Sequence, residues 1–331
     1  MYNRNTSIDV IKGITIILVV IYHAIGISDE TAITDYNNGL YNMIACFFMQ
    51  IFMVITGYLV YRHGNFEWVL RNIKRWIIPI ALFTILYFVW NIMFHELIRT
   101  YELPLFKYIA LMVYSGFGGI ATWYLWCLCL CYISMFAIEA LSRRFPKIPV
   151  MVMIVAYLAM LNVMPFNLFG MINLKWYGIF FFIGYIIRHY HDTKIVMYGG
   201  KALYGSLVAF PLLGYLTTWL VDMKWTETTG IGLVKILPAI QNGELHQVMV
   251  AFGMALLGCA FVYSVGKILS GLKPLAYIGR ISIGIYLFHV MFVGITGNYW
   301  LSAAIALVIS IVLYEVLRMN KAVDKYAFGS V

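Results

Sequence analysis

His23 and His289 each sit inside a long apolar run, a setting in which an imidazole is suited to moving a proton. A neutral histidine can take the proton of an alcohol as that alcohol attacks a thioester carbonyl. General-base catalysis of acyl transfer is therefore the chemistry these residues suggest. The plain alternative is a histidine that only hydrogen-bonds a neighbouring helix. On a helix, the fourteen residues from Asp9 to His23 rise about 21 Å and return to within about 40° around the axis, so Asp9, Lys12, Ile16 and His23 share a stripe. His289 lies fourteen residues after Leu275, where its own apolar run begins, and so is also about 21 Å in. Two histidines at one depth predict a shared polar cavity. No third ligand is evident at that level, and no metal is expected.

Asp9 and Lys12, three residues apart, predict an ion pair at a membrane boundary, with Ser7 as the helix N-cap. The pair either anchors the helix end or helps hold a polar substrate. A second cluster, Arg71, Lys74 and Arg75, reads as a loop before Trp76 and a helix-entering Pro79. Arg71 and Arg75 are four apart, and if helical they share a face that could grip a phosphate group; a topology signal explains the same residues. Trp123, Trp126, Phe47 and Phe48 read as an interfacial aromatic belt, with sugar stacking as the alternative. Glu139, Asn91 and Asn162 carry no assigned role.

The elements that must hold these residues are membrane helices. The chain has 331 residues, 63% hydrophobic and 11% charged, with a mean hydropathy of +0.86, which excludes an ordinary soluble domain. Apolar windows long enough to span about 30 Å fall near 8–27, 42–61, 75–95, 120–141, 149–165, 174–189, 203–221, 247–267, 275–296 and 299–318, predicting an all-α polytopic fold of about ten helices. Within the loop 96–119, the apolar piece Phe106 to Tyr114 is too short to cross and suits an interfacial or re-entrant element. Residues 222–246, with Trp225, Lys235, Pro238, Glu244 and His246, could cover an outer site. The five cysteines, Cys46, Cys127, Cys129, Cys131 and Cys259, read as small core residues. The first run exceeds a signal-peptide h-region and is expected to be retained. No repeat or hydrophilic domain appears, so residues 1–331 form one integral domain, a bundle over about 8–318 with a short tail at 319–331.

Placing the N-terminus inside puts eighteen of the 23 Lys and Arg residues on the inner side, leaving Arg99, Lys107, Lys175, Lys224 and Lys235 outside. Both termini are therefore expected in the cytoplasm, in a multi-pass protein of a cell membrane. The basic residues are scattered over short loops, which argues for lipid contacts and against nucleic acid as a partner.

Several segments taken together resemble a known family. They are Asp9-Val10-Ile11-Lys12-Gly13 through Tyr22-His23, Phe52 to Tyr58 with Thr56-Gly57, Arg75-Trp76-Ile77-Ile78-Pro79, Thr122-Trp123-Tyr124-Leu125, and Ile278-Gly279-Arg280 through Tyr286-Leu287-Phe288-His289. In that order they resemble the acyltransferase 3 family of membrane O-acyltransferases. The resemblance implies transfer of an acyl group, usually acetyl, from cytoplasmic acyl-CoA to a hydroxyl of a cell-surface or lipid-linked glycan. It makes His23 the essential catalytic group and sets Arg71 and Arg75 on the CoA side. Lys12 stands where members often have Arg, and Thr56 where they often have Ser.

On this reading, Arg71, Lys74 and Arg75 hold the CoA phosphates, Lys12 belongs to the same binding region, and the pantetheine arm rises along the Asp9 to His23 stripe. His23 deprotonates the acceptor, with Asp9 on the catalytic face, while Tyr286, His289 or a backbone amide steadies the oxyanion. A proton-coupled transporter or flippase of a glycan precursor is the alternative, with the histidines as proton relays.

Overall fold

A computed structural model describes residues 6–28, 38–60, 65–93, 104–117, 122–164, 168–190, 203–216 and 245–329. Among these residues every regular element is a helix. The first half contains α1 (Thr6–Ser28), α2 (Gly39–Ala45), α3 (Phe48–Leu59), α4 (Phe66–Met93), α5 (Leu105–Ser115) and α6 (Trp123–Arg144). It is followed by α7 (Val150–Val163), α8 (Met171–His189), α9 (Ser206–Tyr215), α10 (Leu245–Ile268), α11 (Lys273–Arg280), α12 (Ser282–Phe292), α13 (Tyr299–Arg318) and α14 (Lys321–Ala327). Asparagines start several of them. The Asn38 side chain accepts from the Tyr41 amide, Asn65 from Trp68, Asn298 from Trp300 and Leu301, and Asn320 from Ala322 and Val323.

Among the described residues, seven helices are long and apolar enough to cross a membrane, and α11 with α12 makes an eighth if that pair, bent by 78°, is one span. The ten windows of the sequence reduce to this set for identifiable reasons. The window at 149–165 forms only the 14 residues of α7, and the described part of 203–221 ends as a short helix, both below a full crossing. The window at 275–296 breaks at Ile281. The chain is a multi-pass membrane protein, and its outward surface fits: Ile78, Leu82, Ile85 and Val89 on α4 and Val308, Val312 and Val316 on α13 are exposed apolar side chains.

Four local expectations change. Ser7 lies inside α1 rather than at its N-cap. Arg71, Lys74 and Arg75 are in the opening turns of α4, because a polar first turn hides a helix start from a hydropathy window. Pro79 is therefore interior to that helix, and its missing N–H leaves the Arg75 carbonyl without its helical donor. Phe47 and Phe48 are buried in the core instead of forming a belt. The short apolar piece expected at 106–114 is α5, and the five cysteines are buried and free. Residues 222–244, which make up most of the expected outer cover, and Arg99 lie outside the described residues, while His246 is in the first turn of α10.

Close backbone approach holds the bundle together. A Cβ on Gly279 would lie 1.7 Å from the Asp9 carbonyl oxygen, and one on Gly13 would lie 2.1 Å from that of Leu275, so α1 and α11 touch main chain to main chain. The same arrangement joins α3 to α8, where Gly57 meets the Phe181 carbonyl and Gly184 that of Val54, each at 1.9 Å from a built Cβ. Lipid chains are as apolar as the helices, so contacts this close supply dispersion energy that the hydrophobic effect cannot. Hydroxyls within the apolar spans bond one turn back: Thr15 donates to the Ile11 carbonyl at 2.7 Å, Thr84 to Ile80 at 2.7 Å, and Ser134 to Leu130 at 2.8 Å.

Gly279→Ala should force α1 and α11 apart and cost at least about 1–3 kcal/mol. Gly253→Ala, where a Cβ meets nothing within 4 Å on α10, should be neutral or stabilising by up to about 1 kcal/mol. Thermal unfolding of the purified protein in one detergent compares the two.

Candidate active site

His23 is carried near the end of α1 and His289 on α12, and the two rings meet. Their centroids are 4.9 Å apart, edge to face, with His289 Nε2 3.3 Å from His23 Nδ1. The shared depth expected from helix rise is present as direct contact. The protonation pattern follows from the partners. His289 Nδ1 faces two carbonyl oxygens, of Tyr286 at 2.7 Å and Ile285 at 3.1 Å, and a carbonyl only accepts, so Nδ1 carries the hydrogen. His289 Nε2 is then a bare acceptor, turned to His23. His23 Nδ1 likewise donates to the Val19 carbonyl at 2.8 Å, and its hydrogen is shared toward His289. With Nδ1 carrying the hydrogen, the neutral His23 ring presents Nε2 as its basic atom.

His289 is fully buried and locked by helix α12, while His23 is half-buried. An aromatic group backs His23: Tyr22 stacks on Tyr41 at 4.3 Å, their hydroxyls are 2.8 Å apart, and Phe48 packs on both Tyr22 and His23. On the other side, Tyr286 lies with its ring 6.0 Å from His289 and 5.6 Å from Tyr124. Thr56 donates to the Phe52 carbonyl at 2.8 Å, so the 3.3 Å contact between Thr56 Oγ1 and the Tyr124 hydroxyl has Tyr124 as donor. Tyr87, from α4, donates to the Leu287 carbonyl at 2.5 Å and fastens α12. Motifs that are far apart in sequence thus meet around the histidine pair.

Asp9 and Lys12 do not join this group. They lie at the opposite end of α1, where Asp9 is 5% exposed against α11. The stripe proposed for the donor's arm is closed there, because the α11 backbone covers it at Gly13 and Ile16 is fully buried. Arg71 and Lys74 are exposed at the start of α4. Arg75 is half-buried over the Trp76 ring at 4.8 Å, and its Nε has no hydrogen-bond partner among the described residues. Since α4 begins at Phe66, Arg71 and Arg75 do share a helical face.

Sequence reasoning missed the support behind Arg75. Phe328 is buried against Phe288 and Tyr314, and Gly329, at φ 61°, lies on the Arg75 side chain, with a built Cβ 2.7 Å from Cγ. Nothing local in a short C-terminal tail signals that contact. It also left Tyr87 unassigned, and no spacing rule links Tyr87 to Leu287, 200 residues away. Lys175, counted among outer charges, is 1% exposed and donates to the Met164 carbonyl at 2.7 Å, closing the end of α7. Glu139 accepts from the Tyr185 hydroxyl at 3.2 Å.

Tyr87→Phe removes the bond to Leu287 and should lower stability by about 0.5–1.5 kcal/mol, read by thermal unfolding. Neither a curated protein nor a solved structure matches the chain. A family model for an acyltransferase domain, acyltransferase 3, matches residues 5–316, nearly the whole length and including every motif around the histidine pair. The chain belongs to the acyltransferase 3 family of membrane acyltransferases.

Proposed function

We propose that this protein transfers an acyl group, acetyl by preference, from cytoplasmic acyl-CoA to a hydroxyl of a cell-surface or lipid-linked glycan at a bacterial plasma membrane. The observation that carries the reading is the His23–His289 pair, whose hydrogen bonds leave His23 Nε2 as a bare base within the bundle. His23 Nε2 takes the acceptor's hydroxyl proton as its oxygen bonds the thioester carbon. The oxyanion then collapses, the carbon–sulfur bond breaks, and the departing thiolate takes the proton back from His23. During the cycle His289 Nε2 accepts from the His23 Nδ1 hydrogen and supports the imidazolium.

Arg71, Lys74 and Arg75 are assigned to the phosphates of CoA, with the positive-inside bias placing them in the cytoplasm. From Arg75 to Tyr87, which holds α12 beside the histidines, α4 rises about 18 Å. With the α1 stripe closed by α11, the donor's arm is assigned to the side of α6, past Tyr132, which lies within electrostatic reach of Arg75, and past Tyr124. Lys12 and Asp9 hold the end of α1 in this scheme. The bent pair α11 and α12 is a feature shared with transporters, whose broken helices come in corresponding halves. Among the described residues no second pair of helices is bent in this way, and the α2–α3 junction lies within one 21-residue span.

His23→Ala should abolish acyl-acceptor formation from acetyl-CoA and cell-envelope glycan, read by mass spectrometry, while the protein stays folded and inserted. Full activity in that variant would overturn the mechanism. The Arg71→Ala/Arg75→Ala double variant should raise the apparent KM for acetyl-CoA by about tenfold or more per lost charged contact, with less effect on the acceptor. An unchanged KM reduces the cluster to a topology signal.

A further inference from the structure

The reaction proposed above needs a hydrogen-bond donor for the oxyanion, and the groups around the histidines can be sorted by where their hydrogens go. His289 has none to give, because Nδ1–H is committed to the Tyr286 and Ile285 carbonyls and Nε2 is an acceptor. The His23 Nδ1 hydrogen goes to Val19. The Tyr87 hydroxyl is committed to Leu287, and that of Tyr124 to Thr56. Tyr286 differs from these. Its hydroxyl is buried in a residue 6% exposed and completes no hydrogen bond among the described residues. An unpaired buried hydroxyl costs about 1–3 kcal/mol, so its place is explained by a ligand that accepts from it.

A second feature stands beside it. The ring of Tyr286 packs edge-on against Tyr124, the second residue of α6, and its oxygen feels the Tyr124 backbone amide. In the first turn of α6, Tyr124 and Leu125 are buried and Trp123 and Trp126 half-buried, and no side chain caps the helix. Thr122, which occupies the N-cap position, is fully buried and its Oγ1 is also unpartnered among the described residues. The start of a 22-residue helix carries partial positive charge and amides directed outward, the arrangement that receives anions elsewhere. A helix start without a cap, next to an unpaired tyrosine hydroxyl and within one ring of the histidine pair, has the composition of an oxyanion hole.

We infer that Tyr286 and the N-terminal turn of α6 bind the tetrahedral oxyanion of acyl transfer, with Tyr286 as a catalytic residue. This rests on the acyl-transfer reading. As the acceptor oxygen bonds the thioester carbon, the carbonyl π pair moves onto oxygen, which accepts from Tyr286 O–H; when the carbon–sulfur bond breaks, that pair re-forms the carbonyl. Tyr286 keeps its proton throughout, and the proton in transit stays with His23.

The test uses the purified full-length protein, acetyl-CoA and a cell-envelope glycan fraction, following CoA release by the unmodified protein, His23→Ala and Tyr286→Phe. For Tyr286→Phe the expected result is a kcat lower by about 10²–10³-fold, with KM for acetyl-CoA within about twofold. Its melting temperature should be little changed, since the hydroxyl completes no hydrogen bond among the described residues and loses only its weak contact with the Tyr124 amide. Wild-type kcat in Tyr286→Phe, or a loss confined to KM, with His23→Ala inactive, overturns the oxyanion assignment and leaves the acyl-transfer reading standing. Wild-type CoA release by His23→Ala, or none by the unmodified protein, overturns both.

Discussion

At the crossing of α1 and α11 there is no side chain between the two backbones, and the position of His289 follows from that fact. The Asp9 and Leu275 carbonyl oxygens occupy the space that Cβ atoms on Gly279 and Gly13 would need. With α11 held there, the break at Ile281 turns α12 by 78°, and its third turn arrives at the end of α1 with His289 against His23. The crossing at Gly57 and Gly184 does the equivalent for the opposite wall. It fixes the end of α3 on α8, hence Thr56, hence the Tyr124 hydroxyl, against whose ring Tyr286 packs.

Polar groups inside such a bundle must find partners, and most do so within their own helix. Thr15, Thr84, Thr56 and Ser134 all donate to the carbonyl four residues back, which satisfies them without demanding a neighbour. The exceptions are therefore informative. Among the described residues, Tyr286 and Thr122 are unpartnered at the histidine level and Arg75 Nε at the start of α4, where Pro79 also frees a carbonyl; Gln50, Tyr108 and Ser310 are unpartnered elsewhere. The first two places are the ones assigned to the reacting centre and to the phosphates of the donor.

Much of this was legible in the sequence because it depends on local geometry. Helix rise alone placed His23 and His289 at one depth, and apolar length identified the main spans. The missing parts are tertiary. A hydropathy window starts α4 too late, since Arg71, Lys74 and Arg75 are polar turns of a helix that begins at Phe66. The Asp9 to His23 stripe is a real angular alignment, but what faces it depends on α11, more than 250 residues away. The break at Ile281 has no proline at the break itself and comes just past the residue where α11 is held. Gly329 on Arg75 has no local signal of any kind.

The pairing of two histidines, in place of a histidine and a carboxylate, makes sense for a site inside a membrane. A resident aspartate would be a standing negative charge in low dielectric, costly whenever the site is empty. An imidazole in its neutral form brings no such charge, and His289 Nε2 orients His23 as an acceptor. In the proposed reaction, charge appears only as a pair, an imidazolium on His23 and an oxyanion at the start of α6, formed together and removed together. Low dielectric then strengthens the attraction between them, and the environment that makes a fixed charge expensive favours this transient one.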